Sequence, residues 1–231
     1  MGIDLSLVDR RVRVWDLPTR ITHWAIVGLF SLCWWTESVD EMTWHVLAGS
    51  AFLAALLFRI VWGVLGSQTA RFSSFLHSPA VVIAYARGLL SGNGKPQGSV
   101  GHNPMGGWSV LAMLALLLAE TGLGFISIDT DDVASGPLAD WVGLDVGRLA
   151  ARWHAAIFFP LLGLIGLHVA AVAFYAIARR DNLIFPMLSG YKRIRQPLTT
   201  PYFAPTWLAV VIAVGVALCV SLTVVGSFRR Q

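Results

Sequence analysis

The sequence predicts an all-α integral membrane protein with five spanning helices, and three observations carry that expectation. Only 13% of the 231 residues are charged, against about a quarter in a soluble domain. Mean hydropathy is +0.66. The apolar residues fall into five runs, most of them near the roughly 20 residues that a helix needs to cross a bilayer. A soluble helical bundle would need polar faces on these runs, and they have almost none.

Residues 1–16 are polar and mixed in charge, with Arg10, Arg11 and Arg13. Pro18 suits a first helical turn, so span one is expected from Leu17 or Ile21 to Trp35. An acidic turn with Glu37, Asp40 and Glu41 leads to span two, Met42 to Leu65. Residues 66–106 form a polar gap in which Pro79 to Leu90 reads as an interfacial helix and Ser91 to Pro96 as a flexible turn. Span three runs from about Gly107 to Ile128. A loop rich in aspartate (Asp129, Asp131, Asp132, Asp140, Asp145) precedes span four, Ala150 to Ala178. The basic stretch Arg179 to Arg195 follows, and then span five, Thr206 to Phe228. Residues 1–195 are taken as one membrane domain and 196–231 as an added helix.

The net charge of +4 does not point to nucleic acid, because the basic residues sit between apolar runs as topology signals do. With the N-terminus inside, 13 of the 17 basic residues fall on the inner side, which places that terminus in the cytoplasm. Arg229 and Arg230 are the discordant pair. Cys33 and Cys219 lie in separate apolar runs, so neither a disulfide framework nor metal-type cysteine spacing is expected. The first run lacks a small-residue cleavage site, so no cleavable leader is expected.

Span four carries His154 and His168. Fourteen residues advance about 21 Å and end roughly 40° short of four turns, so both imidazoles leave one helical face at opposite membrane depths. Ionisable side chains inside lipid are costly and mark functional sites. Depth then sorts the other two histidines inside spans. His23, early in an inside-to-outside span, pairs with the inner His168; His45, at the start of an outside-to-inside span, pairs with the outer His154. The inner match is looser, and an overhang of span four would close it.

Two histidines at one depth are too few for zinc or non-haem iron, which recruit three or four protein ligands. They suit a haem, whose macrocycle supplies the other four nitrogens. Two bis-histidine haems are therefore expected, one near each face. With both axial positions filled such a group passes electrons and offers no open site. Gly28, Gly49, Gly163 and Gly166 could give the rings room.

Four phrases carry a resemblance: Val14-Trp-Asp-Leu-Pro-Thr-Arg-Ile-Thr-His23-Trp, Arg59-Ile-Val-Trp-Gly-Val-Leu-Gly-Ser-Gln-Thr-Ala-Arg71-Phe, Gly101-His-Asn-Pro-Met-Gly-Gly, and Asp181-Asn-Leu-Ile-Phe-Pro-Met-Leu-Ser-Gly-Tyr-Lys192. In this order they resemble the bacterial cytochrome b561 family, and more narrowly its branch with the b-type cytochrome subunits of nickel–iron hydrogenases. The resemblance implies a four-helix haem-binding bundle in the inner membrane, with two b-type haems that exchange electrons with quinone and a redox partner. It also implies ligation by His23, His45, His154 and His168, in the pairs that depth gives. The fifth span lies outside that core and is expected to pack without ligating.

Around these four, Arg59 lies fourteen residues after His45 and so on nearly its face. Arg59, Arg20 and Arg152 are candidates for haem propionates, since guanidinium matches carboxylate geometry; the plainer role is a snorkelling helix-end arginine. His102 and His77 are placed outside the core, His102 as a candidate for a propionate or quinone pocket. Glu120, the acidic residue well inside span three, suits giving or taking a quinone proton. The acidic outer loops suit steering a basic periplasmic partner, a c-type cytochrome or a dehydrogenase or hydrogenase subunit. The other class of function is a non-redox transporter or anchor subunit, whose histidines would serve packing or proton relay; a transporter should show a repeat, and none is found.

Overall fold

The computed structural model describes residues 10–91, 101–128, 135–194 and 200–228. The turn from Gly92 to Pro96, Asp129, Asp131 and Asp132 of the acidic loop, Arg195, and Arg229–Arg230 lie outside the described residues. In chain order the elements are β1 (Arg10–Arg13), α1 (Leu17–Ser38), α2 (Met42–Leu65), α3 (Phe72–Phe75), α4 (Pro79–Leu90), α5 (Pro104–Ile126), α6 (Leu144–Ala178), α7 (Ile184–Ser189), β2 (Tyr191–Ile194) and α8 (Thr206–Phe228). Among the described residues, four helices are long and apolar enough to cross a membrane: α2, α5, α6 and the Thr206–Gly226 part of α8. The 22-residue α1 has the length, but Arg20, His23 and Glu37 make it less apolar.

The helix starts follow from their caps. Asp16 accepts from Thr19 N at 2.8 Å ahead of Pro18, and Asn103 accepts from Gly106 N at 2.8 Å ahead of Pro104. Each satisfies one of the orphan donors of a first turn. The Asn103 cap starts α5 three residues before the expected Gly107. α1 reverses into α2 through Asp40, whose φ of 58° is left-handed, a conformation that aspartate tolerates better than most residues. α6 begins at Leu144, six residues before the expected Ala150. Its 35 residues span about 52 Å, well beyond a hydrocarbon core of about 30 Å. The overhang is shared evenly: ten residues precede His154 and ten follow His168.

One core joins four helices. Phe52 and Leu56 of α2, Leu114 and Leu117 of α5 and Leu161 of α6 form its buried centre, with Ile26, Leu29 and Phe30 of α1 against it. α8 packs on α2 at two levels, Ala209 against Phe58 and Trp62, and Val220 and Val224 near Leu53, Leu57 and Phe125. Outward-facing Phe159, Ile177 and Leu222 are at least 70% exposed, an inversion of soluble proteins that suits lipid.

At the end of the molecule where α1 begins, β1 and β2 pair antiparallel, with Arg11 opposite Arg193 and Arg13 opposite Tyr191. Gly190 accepts from Val14 N and Trp15 N. Its φ of 86° and the 2.9 Å that would separate a Cβ from Trp15 O leave room for glycine alone. Neither strand nor α7 is expected from the sequence, which reads there as polar connection.

Candidate functional site

The two histidines expected at the outer level meet. His45 sits in the first turn of α2 and His154 in the third turn of α6, and their ring centres are 6.2 Å apart with planes at 83°. Each ring is held from behind by a backbone carbonyl: His45 Nδ1 donates to Cys33 O at 2.9 Å, and His154 Nδ1 to Glu120 O at 2.8 Å. A carbonyl only accepts, so Nδ1 carries the proton in both rings and Nε2 keeps its lone pair. This arrangement orients metal-ligating histidines and raises their basicity. Metal–imidazole bonds are about 2.0 Å long, so rings on opposite sides of one iron have centres roughly 6 Å apart. The residues present fit a bis-histidine haem.

Gly124 makes the seat possible. A Cβ there would lie 3.0 Å from His154 Cε1, so the ring packs directly on the α5 backbone. Gly124→Val should push His154 off its carbonyl and lower the haem retained per chain, read by pyridine haemochrome; unchanged content and spectrum would show that the seat does not matter. Glu120 is half-buried beside this pair, with Oε1 at 3.4 Å from His154 Nδ1 and Oε2 enclosed without a partner.

Seven residues turn a helix to within about 20° of two full turns, and that spacing builds the next layer. Phe30 is seven residues after His23, Phe52 seven after His45, and Leu161 midway between His154 and His168. Phe30 lies 6.5 Å from Phe52 and stacks on Phe158 of α6 at 6.2 Å and 12°. Phe52 and Leu161 are buried. One apolar layer therefore separates the two histidine levels.

The inner level gathers more groups. His23 lies within electrostatic range of His168 and Arg59, and its Nδ1 is enclosed with no protein partner. Arg59 is 7% exposed; it donates to Ala70 O at 3.3 Å and lies over the Phe72 ring. His102 belongs to this group rather than outside the core. Its ring sits 4.9 Å from Trp15 and 4.7 Å from Phe75, one edge accessible and Nδ1 enclosed without a partner. Burial, and then the charges of Arg59, His168 and His23, pull its pKa down to about 3, so it is neutral at physiological pH. His77 stands apart, exposed, with Nδ1 on Phe75 O.

Other candidates are placed differently. Arg20 donates to Leu188 O, so it fastens α7 to α1. Arg152 is exposed on α6. A Cβ at Gly28, Gly49, Gly163 or Gly166 would meet nothing within 4 Å, but only Gly49 is near a ligand face, about 40° round α2 from His45. Gly163 faces away from His154 by about half a turn, so α6 glycines do not clear the space.

Three features are invisible to motif inspection. Asp16 is 2% exposed, and besides capping α1 it accepts from Trp62 Nε1 at 3.0 Å within electrostatic range of Arg59. Tyr175, seven residues after His168, shares hydrogen bonds with Tyr85 of α4 and Asn103, both at 3.0 Å. The backbone acceptors of Cys33 and Glu120 complete the set.

No curated protein matches the chain in sequence. A family model described as prokaryotic cytochrome b561 matches residues 14–190, a range that contains both histidine levels and the helices that carry them. The chain belongs to the prokaryotic cytochrome b561 family of b-type haem membrane electron carriers.

Proposed function

We propose that the protein is a di-haem cytochrome of the inner membrane that carries electrons across the bilayer between a quinone pool and a periplasmic redox partner. The facing pair of His45 and His154, each with Nδ1 fixed on a carbonyl, is the observation that carries this reading. His45 and His154 hold the outer haem b, and His23 and His168 the inner one. A haem with two axial imidazoles supplies one-electron transfer. The protein residues orient the ligands, keep the space between the levels apolar and place Arg59 where its fixed charge favours haem propionates.

In this reading α1 is the fifth spanning helix, and α1, α2, α5 and α6 form a bundle to which α8 is added. The N-terminus is cytoplasmic, in keeping with the basic residues at that end. Glu120, beside the outer pair, exchanges a quinone proton, and His102, near His23 and His168, is the second candidate for a propionate or quinone. The partner is a c-type cytochrome or a dehydrogenase or hydrogenase subunit, as the resemblance to the hydrogenase b-type subunits suggests.

The deciding experiment is the dithionite-reduced minus oxidised spectrum of purified protein, with haem counted per chain by pyridine haemochrome. Two b haems are expected. Glu120→Gln should keep both, since the backbone carbonyl remains, while slowing reduction by a soluble quinol. Folded protein without haem would remove the redox reading and leave the anchor or transporter; full quinol reactivity in Glu120→Gln would remove the proton role alone.

A further inference from the structure

The basic end of the molecule holds a built surface that electron transfer does not use. Arg11 and Arg13 are two residues apart on β1 and therefore share one sheet face. Arg193 lies opposite Arg11 across the ladder and Tyr191 opposite Arg13, so all four are on that face. The Arg11 guanidinium lies 4.6 Å from the centre of the Tyr191 ring, and that of Arg13 4.4 Å from the Phe203 ring. Stacking covers the flat face of a guanidinium and leaves its N–H edge for an acceptor. The ion pairs among the described residues join His154 to Glu120 and Lys192 to Asp181. No carboxylate therefore neutralises these arginines among the described residues.

Their position sets the kind of acceptor. Arg13 is four residues before α1, and Phe203 three before α8, so the face lies where spans leave the hydrocarbon. Beside it, α7 is fastened to α1 by Trp24 Nε1 to Met187 O and by Arg20 to Leu188 O. Ile184, Phe185 and Leu188 of α7 remain 48–57% exposed. Stacked arginines next to exposed apolar side chains at a span end match a headgroup phosphate with its acyl chains. An acidic soluble protein would match the charges and leave the apolar residues in water.

We propose that Arg11, Arg13 and Arg193 form a binding site for anionic glycerophospholipid headgroups, with the exposed residues of α7 against the acyl chains. The site rests on the membrane reading of the chain and is independent of haem number. Simple topology signalling needs only basic residues in loops; it does not need them ordered on aromatic rings in a paired sheet.

The test uses the full chain in neutral detergent, titrated with phosphatidylglycerol or phosphatidylcholine of matched acyl chains. Lipid retained after gel filtration and the unfolding temperature by tryptophan fluorescence are the readouts. Phosphatidylglycerol should be retained and raise the unfolding temperature, while phosphatidylcholine and inorganic phosphate should not. The variant R11Q/R13Q/R193Q should bind phosphatidylglycerol roughly tenfold or more weakly, and R11K/R13K/R193K should fall between, since charge survives but the planar stacking does not. Far-UV circular dichroism and haem content in each sample separate loss of this site from loss of the fold or of the cytochrome reading. Equal retention of phosphatidylcholine, wild-type affinity in the glutamine variant, or an equal shift from inorganic phosphate would overturn the proposal. Tighter binding of poly-glutamate than of phosphatidylglycerol would overturn it in favour of an acidic protein partner.

Discussion

His154→Ala should remove one haem and leave the other, taking the count per chain from two to one and halving the reduced-minus-oxidised difference spectrum. In the proposed reading the outer haem takes one ligand from His45 and one from His154, so it depends on both rings. The two rings stand 6.2 Å apart, and alanine at 154 leaves His45 without the imidazole that faces it. In the same reading the level of His23 and His168, fourteen residues along the helix, is untouched and should keep its midpoint potential. His168→Ala should produce the converse, with the outer haem retained. If these histidines only glued helices together, each replacement would cost about 1 kcal/mol of stability and leave haem content unchanged. Folded His154→Ala with two haems would therefore end the ligand assignment.

Asp16→Ala should lower stability by about 2–4 kcal/mol, combining a lost N-cap, about 1 kcal/mol, with a buried Trp62 donor left unsatisfied, about 1–3 kcal/mol. Its carboxyl group is 2% exposed and accepts from both Thr19 N and Trp62 Nε1. It also lies within electrostatic range of Arg59, whose charge would be left with less compensation. The start of α1, and with it His23, hangs on these contacts, so the inner haem should be lost before the outer one on warming. Asp16→Asn keeps an acceptor for the cap and should lose less. Unfolding midpoints in detergent together with haem release give the readout, and a wild-type midpoint in Asp16→Ala would refute the role.

The helical fold was legible wherever apolar runs meet polar ends. α2 and α8 fall at Met42–Leu65 and Thr206–Phe228, and α4 at Pro79–Leu90, as their runs suggest. The early start of α6 was not legible, because Asp145, Gly147 and Arg148 break the apolar run while the helix continues into the headgroup region. β1 and β2 were hidden for a different reason. Four-residue strands, with three arginines in β1 and a Lys-Arg pair in the middle of β2, are too short and polar to signal, and their pairing depends on the chain returning after α7.

At the site, His45 and His154 stood out because an ionisable side chain in an apolar run is rare. The atoms that orient them could not stand out, since Cys33 O and Glu120 O are backbone groups present in every residue. Gly124 was equally silent among many membrane glycines, and only the approach of the His154 ring gives it meaning. Arg20 shows the reverse case. Its position beside His23 suggested a propionate, and no motif announces that one of its N–H groups donates to Leu188 O of α7.

The layer of Phe30, Phe52 and Leu161 has an electrical consequence. Electrons tunnel through packed hydrocarbon, but protons need water or titratable groups, and Phe30, Phe52, Phe158 and Leu161 offer no titratable group. An electron passing between the two histidine levels would thus cross the membrane dielectric unaccompanied, and the transmembrane voltage would act on it with up to about 2.3 kcal/mol per 100 mV for a full crossing. On the proposed reading such a layer would make the protein a resistor set across a capacitor, and the direction of current would decide whether each turnover charges the membrane or drains it.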